Sequence, residues 1–238
     1  MVRRAASELI GTAFLLAAVV GSGIMGERLA AGSAAIALLA NTIATGAALI
    51  ALILAFGPIS GAHLNPVVTL GQALVGEMPL HEVPAYLLAQ IAGAFLGVAV
   101  ANGMFGYAPF FASHHVRSGP AQIFSEFVAT FGLLTVIWCC SKSRASATPF
   151  AVGAYITAAY WFTASTSFAN PAVTLARTAS DTFAGIRPAD VPGYLAAQLA
   201  GGLTATILCG WLLKPSRAAD IRVLESSGTA EGLGGPNG

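Results

Sequence analysis

Ser60-Gly61-Ala62-His63-Leu64-Asn65-Pro66-Val67-Val68-Thr69-Leu70 and Thr166-Ser167-Phe168-Ala169-Asn170-Pro171-Ala172-Val173-Thr174-Leu175 are the two stretches that decide the fold. Each runs through small polar residues into Asn-Pro, and then into a short apolar segment. Asn is a favoured helix N-cap and Pro is favoured at the first helical position, so each Asn-Pro reads as a helix start. A helix start carries free N–H groups and the positive end of a dipole. Both starts fall inside hydrophobic regions, where such groups are tolerated only if they line a watery cavity. Two of them at matching places argue for a pore.

Composition sets the surroundings. The 238 residues are 56% hydrophobic and only 9% charged, against about 25% charged in a soluble domain, and mean hydropathy is +0.76. The chain is predicted to sit in a lipid bilayer. It has room for six spans of about 20 residues each, expected near 6–26, 34–56, 83–104, 122–140, 149–165 and 191–213. The Asn-Pro segments fall between spans two and three and between spans five and six. A net charge of +1 gives no basic surface for nucleic acid. Cys139, Cys140 and Cys209 lie in apolar stretches and read as packing residues, not as a disulfide or metal set. No cofactor and no metal site are expected.

The two halves repeat. Val83-Pro84-Ala85-Tyr86-Leu87-Leu88-Ala89-Gln90-Ile91-Ala92-Gly93 and the segment from Val191 to Gly201, 108 residues later, are identical at eight of eleven positions. The Asn-Pro motifs lie 105 residues apart, and Ser7-Glu8 opens span one as Ser125-Glu126 opens span four. Three spans per half is an odd number, so the second half enters from the opposite side, as an inverted repeat. The halves are expected at 1–104 and 122–213, joined by an outer loop at 105–121 and followed by a disordered cytoplasmic tail from 214 to 238. Small residues every fourth position, Ala89/Gly93/Gly97 and Ala197/Gly201/Ala205, predict close helix approach.

Orientation follows the excess of Lys and Arg. Cytoplasmic termini place Arg3, Arg4, Lys142, Arg144, Lys214, Arg217 and Arg222 inside, against Arg28, Arg117, Arg177 and Arg187 outside. The segments after each Asn are read as half-helices of about ten residues, or about 15 Å. Two placed end to end fill a core of about 30 Å. Each Asn oxygen caps its own helix, which leaves the amide NH2 free as a donor toward the lumen. Two donors and two positive dipole ends oppose cations there and interrupt a proton wire.

Ser60–Pro66, Phe168–Ala172 and the paired Glu8 and Glu126 resemble the signature of the aquaporin, or major intrinsic protein, family over about residues 5–213. The resemblance implies an all-α membrane protein of six transmembrane helices plus two re-entrant half-helices. It also implies one pore per subunit, a homotetramer in the inner membrane, and passive passage of water and small neutral solutes. Asn65, Pro66, Val67, Asn170, Pro171 and Ala172 form the pore motifs. Val67 stands where the family usually has Ala. Val173 stands where the family usually has an Arg at the outer constriction. The remaining filter positions fall on Thr45, on one of Ala158, Ala159 or Tyr160, and on Ser167 or Phe168. The implied ring is wider than a water filter, with an apolar wall and one or two hydroxyls. It resembles a bacterial branch of the family linked in part to arsenic handling, and it is expected to admit glycerol and arsenous acid.

Arg177, one helical turn past Val173, either restores positive potential at the outer mouth or snorkels toward lipid or loop, the second being the plainer reading. Glu8 and Glu126 are expected to brace the re-entrant loops; a proton relay is the sharper alternative. His63 either braces its loop or gates with pH, with bracing preferred. His114 and His115, in an outer loop with Arg117, read as solvated side chains, not as metal ligands. A water-selective channel, an alternating-access transporter, a membrane enzyme and a stacking adhesion protein are the competing functions. The last three find no coupling-ion site, no catalytic constellation and no use for the half-helices, respectively.

Overall fold

The computed structural model describes residues 1–214, and the tail expected from 214 onward lies, beyond Lys214, outside the described residues. Eight α-helices follow in order: α1 Val2–Leu29, α2 Ala34–Ser60, α3 Pro66–Leu74, α4 Val83–Met104, α5 Pro120–Ser143, α6 Thr148–Phe162, α7 Pro171–Ala176 and α8 Val191–Leu212. Five of these segments are long and apolar enough to cross a bilayer. The other full-depth candidate, α6, has 15 residues, not the 17 expected from 149–165. It stops because Thr163 turns extended, at φ −109° and ψ 139°, and begins the descent to the second Asn-Pro. Large side chains such as Phe14, Ile43, Leu88, Phe124 and Ile207 are exposed on the outside of the bundle.

The two long helices that carry the paired glutamates start earlier than the sequence reading had them. Val2 opens α1 five residues before Ser7, and Pro120 opens α5 five residues before Ser125. Each of the two packs on the third long helix of its own half, α1 on α4 and α5 on α8. Added methyl groups show how close the approach is. A Cβ on Gly93 or Gly97 would press into the α1 backbone at Leu9 and Ala13, and one on Gly201 would press into α5 at Phe127. The same nine register positions are buried on α4 and α8, from Val83/Val191 through Gln90/Gln198 to Ala101/Cys209.

The half-helices are unequal and shorter than read. α3 has nine residues and α7 six, about 13 Å and 9 Å of rise. A 3₁₀ turn over Arg177–Ala179 extends α7 by about 6 Å. Together they still approach the thickness of a hydrocarbon core of about 30 Å.

Val67, the departure from the usual Ala, has a physical partner. A Cβ on Gly202 of α8 would collide with Val67 Cγ1, so the missing side chain at 202 is what admits the larger one at 67. At the matched place in the other half, Ala172 and Ala94 are both fully buried in one cluster. Side-chain volume is moved from α8 to the half-helix, and the packing is kept.

Candidate functional site

The site is built where the two Asn-Pro segments meet. Asn65 and Asn170 adopt nearly the same extended backbone, φ −157° and −156°. Asn65 Oδ1 accepts from Val67 N at 3.0 Å, and Asn170 Oδ1 accepts from Ala172 N at 3.0 Å and Val173 N at 3.3 Å. Their amide nitrogens are not wholly free, which corrects the sequence reading. Asn65 Nδ2 donates to Ala169 O at 2.8 Å, and Asn170 Nδ2 donates to Leu64 O at 2.8 Å. Each cap therefore fastens the opposite loop, and one N–H per amide is left over.

The loops leading to the caps share one unusual backbone track. Gly61, Ala62 and Leu64 have φ of 87°, 47° and 50°; Thr166, Ser167 and Ala169, each 105 residues on, have 59°, 50° and 48°. A non-glycine residue there costs about 1–2 kcal/mol. The strain is held by carboxylates. Glu8, fully buried on α1, accepts from Ser60 Oγ at 2.6 Å, His63 N at 2.9 Å, Leu64 N at 2.7 Å and Gln90 Nε2 at 2.8 Å. Glu126, fully buried on α5, accepts from Phe168 N and Ala169 N at 2.9 Å and from Gln198 Nε2 at 2.6 Å. Apart from the Ser60 hydroxyl on Glu8, every partner of the two carboxylates is a backbone or amide N–H, which can only donate; such bonds hold the loops and pass on no proton. No hydrogen bond among the described residues ends on the carbonyls of Gly61, Ala62, His63, Thr166, Ser167 or Phe168. They remain acceptors for something in the cavity beside them.

That cavity, of about 110 Å³, runs from Gly61 and His63 past both Asn caps to Val173 and Arg177. Its walls follow helical spacing. Leu15 and Val19, Thr45, Leu49 and Ile53, Val68 and Gln72, Leu133 and Ile137, and Thr148, Val152, Ile156 and Tyr160 each recur every fourth residue. The three α6 candidates part company here. Tyr160 lines the cavity and donates to Thr45 Oγ1 at 3.3 Å. Ala158 is exposed on the outside, because two residues along a helix is more than half a turn. Ala159 is buried but does not reach the cavity. Ser167 and Phe168 both line it, and Ser167 Oγ has no hydrogen-bond partner among the described residues.

Arg177 does not snorkel. It is 2% exposed and lines the cavity, its Nε donates to Ala184 O, and its guanidinium carbon lies 3.4 Å from the Phe168 ring centroid. Arg117, in the outer loop, is pinned as well: its side chain donates to Gly185 O at 2.7 Å, Phe183 O at 3.0 Å and Thr166 Oγ1 at 3.4 Å. At the other end, His63 lines the cavity, with Nδ1 3.0 Å from Thr69 Oγ1 and its ring 5.2 Å from Tyr86. Cys209 is buried and Cys139 packs beside the same apolar cluster; both are free thiols.

Known proteins share this architecture. The profile of the family described as "Major intrinsic protein" matches residues 1–167, most of the chain. The chain belongs to the major intrinsic protein family. That is a family of membrane channels. One relative of this major intrinsic protein, described as an aquaglyceroporin of Rhizobium meliloti, is 54% identical over 217 residues, covering 91% of this chain and 93% of its own. Aquaporin Z of Rhodopseudomonas palustris is 35% identical over 62% of this chain and 67% of its own. The solved structure of the aquaglyceroporin from Plasmodium falciparum superposes with a TM-score of 0.69 at 23% identity, covering 90% of this chain and 96% of that one, which shows the shared fold. The profile match ends three residues before Asn170, so Val173 and Arg177 lie beyond it.

The sequence reading of this major intrinsic protein missed Gln90, Gln198, Thr69, Thr174 and Gln72. Gln90 Nε2 bonds both Glu8 and Thr69 Oγ1, and Gln198 Nε2 bonds both Glu126 and Thr174 Oγ1. The signal was present: two glutamines recur 108 residues apart in apolar helices, where an amide needs a polar partner. Gln72 lines the cavity at the place matched to Arg177 in the other half, again 105 residues apart.

Proposed function

We propose that the protein is a passive pore that admits water, glycerol and arsenous acid. The observation that carries this reading is a single cavity spanning both Asn caps, with Val173 in its wall where a filter cation would otherwise narrow it. Neutral polyhydroxylated solutes need acceptors for their hydroxyls and an apolar surface for their backbone. The unpartnered loop carbonyls supply the first, and Val68, Val173, Leu49 and Ile53 supply the second. The relative at 54% identity is described as an aquaglyceroporin, which favours the same solute class. Thr45 and Ser167 add hydroxyls to the same wall. Glu8, Glu126 and His63 support the loops, and the Asn caps with their dipole ends turn cations and protons away.

Arg177 supplies positive potential at the outer mouth in place of position 173. Arg177→Ala is expected to raise cation leak through proteoliposomes; unchanged leak removes this role. The excess of Lys and Arg at the end that carries both termini favours cytoplasmic termini in the inner membrane. A homotetramer is part of the same reading; α2 and α5, only 28% and 33% buried within the subunit over their most apolar windows, leave surface that such an assembly could cover.

The test is solute-resolved flux in proteoliposomes. Glycerol and arsenous acid are expected to cross well above empty vesicles, down their gradients and without an ion gradient. Water flux with no glycerol or arsenous acid flux contradicts the reading.

A further inference from the structure

Two guanidinium groups pack on one aromatic ring at the outer end of the cavity; Arg177 lines the cavity and Arg117 does not. The guanidinium carbons of Arg177 and Arg117 lie 3.4 Å and 5.1 Å from the centroid of the same Phe168 ring. Every hydrogen bond that either side chain makes among the described residues goes to a neutral oxygen: Ala184 O for Arg177, and Gly185 O, Phe183 O and Thr166 Oγ1 for Arg117. The ion pairs among the described residues are Arg4–Glu82, His114–Asp181 and Arg187–Asp190, and none includes either arginine. Carboxylates of the same region are already engaged. Glu126 accepts from the Phe168 and Ala169 amides and Gln198, Asp190 from Arg187 and the Arg117 backbone, and Asp181 from His114.

A cation held 2% exposed with no carboxylate in contact with it is unfavourable. Arg177 Nη1 and Nη2 receive no acceptor from the described residues, and the side chain lines the cavity. The Ser167 hydroxyl, 3% exposed and also unpartnered, lines the same cavity. A planar guanidinium edge matches two oxygens of a small oxyanion, and a hydroxyl adds a third donor.

We propose that the outer mouth is a binding site for a small monovalent oxyanion, held by the free edge of Arg177 with Ser167 beside it, and that an anion seated there obstructs solute entry. The inference rests on the channel reading. Between that mouth and the Asn caps the wall is apolar at Val173, Leu49 and Ile53, and a charged anion would have to shed its water to pass it, so the anion is held at the mouth and acts as a plug.

Nitrate is the probe. Glycerol efflux from proteoliposomes holding the full chain is followed as external nitrate replaces gluconate at constant ionic strength. Wild type is expected to slow saturably, by about two-fold when nitrate equals its dissociation constant. Arg177→Lys keeps the effect with a shifted half-block concentration, and Arg177→Gln loses the nitrate-to-gluconate difference. Equal flux in the two salts for wild type overturns the proposal, as does an equal block in Arg177→Gln. If Arg177→Gln fails to fold, wild type and Arg177→Lys decide: a shifted half-block supports the site and an unshifted one overturns it. Absence of any glycerol flux in gluconate is a different result, and it defeats the channel reading.

Discussion

At the scale of single residues, the structure turns on buried groups that have one way to be satisfied. Glu8 and Glu126 hold loop amides whose left-handed neighbours would otherwise relax. A glutamine at either place offers one acceptor oxygen and sets an NH2 against a donor. Each lost bond to the charged group costs about 1.5–3 kcal/mol. Glu8→Gln and Glu126→Gln are both expected to lower the thermal midpoint in detergent and to reduce glycerol flux. Glu8→Gln should be affected at least as much, because that carboxylate accepts four bonds and Glu126 three. An unchanged midpoint in both variants removes the bracing role. The glutamates were legible in the sequence because a carboxylate inside a span is conspicuous. Gln90 and Gln198 were not, because an amide in an apolar helix carries no sign of which partner it will find, although their repetition marked them.

At the scale of elements, the half-helices are positioned by exchange between the repeats. Each Asn cap bonds the carbonyl that ends the other loop, so neither half-helix is placed by its own half alone. Helix starts at Asn-Pro could be read directly, since capping is local. Helix lengths could not, because where α3 and α7 stop depends on how the chain leaves the bundle. The filter side of α6 was equally hidden. Its face toward the cavity is set by Thr148, Val152, Ile156 and Tyr160 packing around a centre that the sequence does not locate. The pairing of Val67 with Gly202 gives a direct test of element packing. Val67→Ala alone is expected to lose about 2 kcal/mol through the void it leaves. Gly202→Ala alone is expected to lose about 1–3 kcal/mol by overpacking. The double variant should recover much of both, with a coupling of about 1–3 kcal/mol. Thermal unfolding of the two single variants and the double variant measures this, and additive losses contradict the exchange of volume between α8 and α3.

At the scale of the whole molecule, an apolar bundle encloses a path lined by acceptors along its loops, by apolar walls between them and by positive dipole ends at its centre. The bundle and its repeat were legible because hydropathy and Asn-Pro spacing reflect constraints that act on the whole chain. The mouth was not. Arg177 folds against Phe168 because Ala184 O, in the loop after α7, and the ring, in the loop before it, close on the guanidinium from both sides of that short helix. The proposed solute class depends on the width of the path, and Val173 lines that path where the proposal has its width set. The measurement closest to that claim is water and glycerol flux through proteoliposomes of wild type and Val173→Arg, side by side. The account predicts glycerol flux in wild type and a larger fractional loss for glycerol than for water once the arginine is present. Equal losses for the two solutes, or glycerol flux untouched by Val173→Arg, would contradict it.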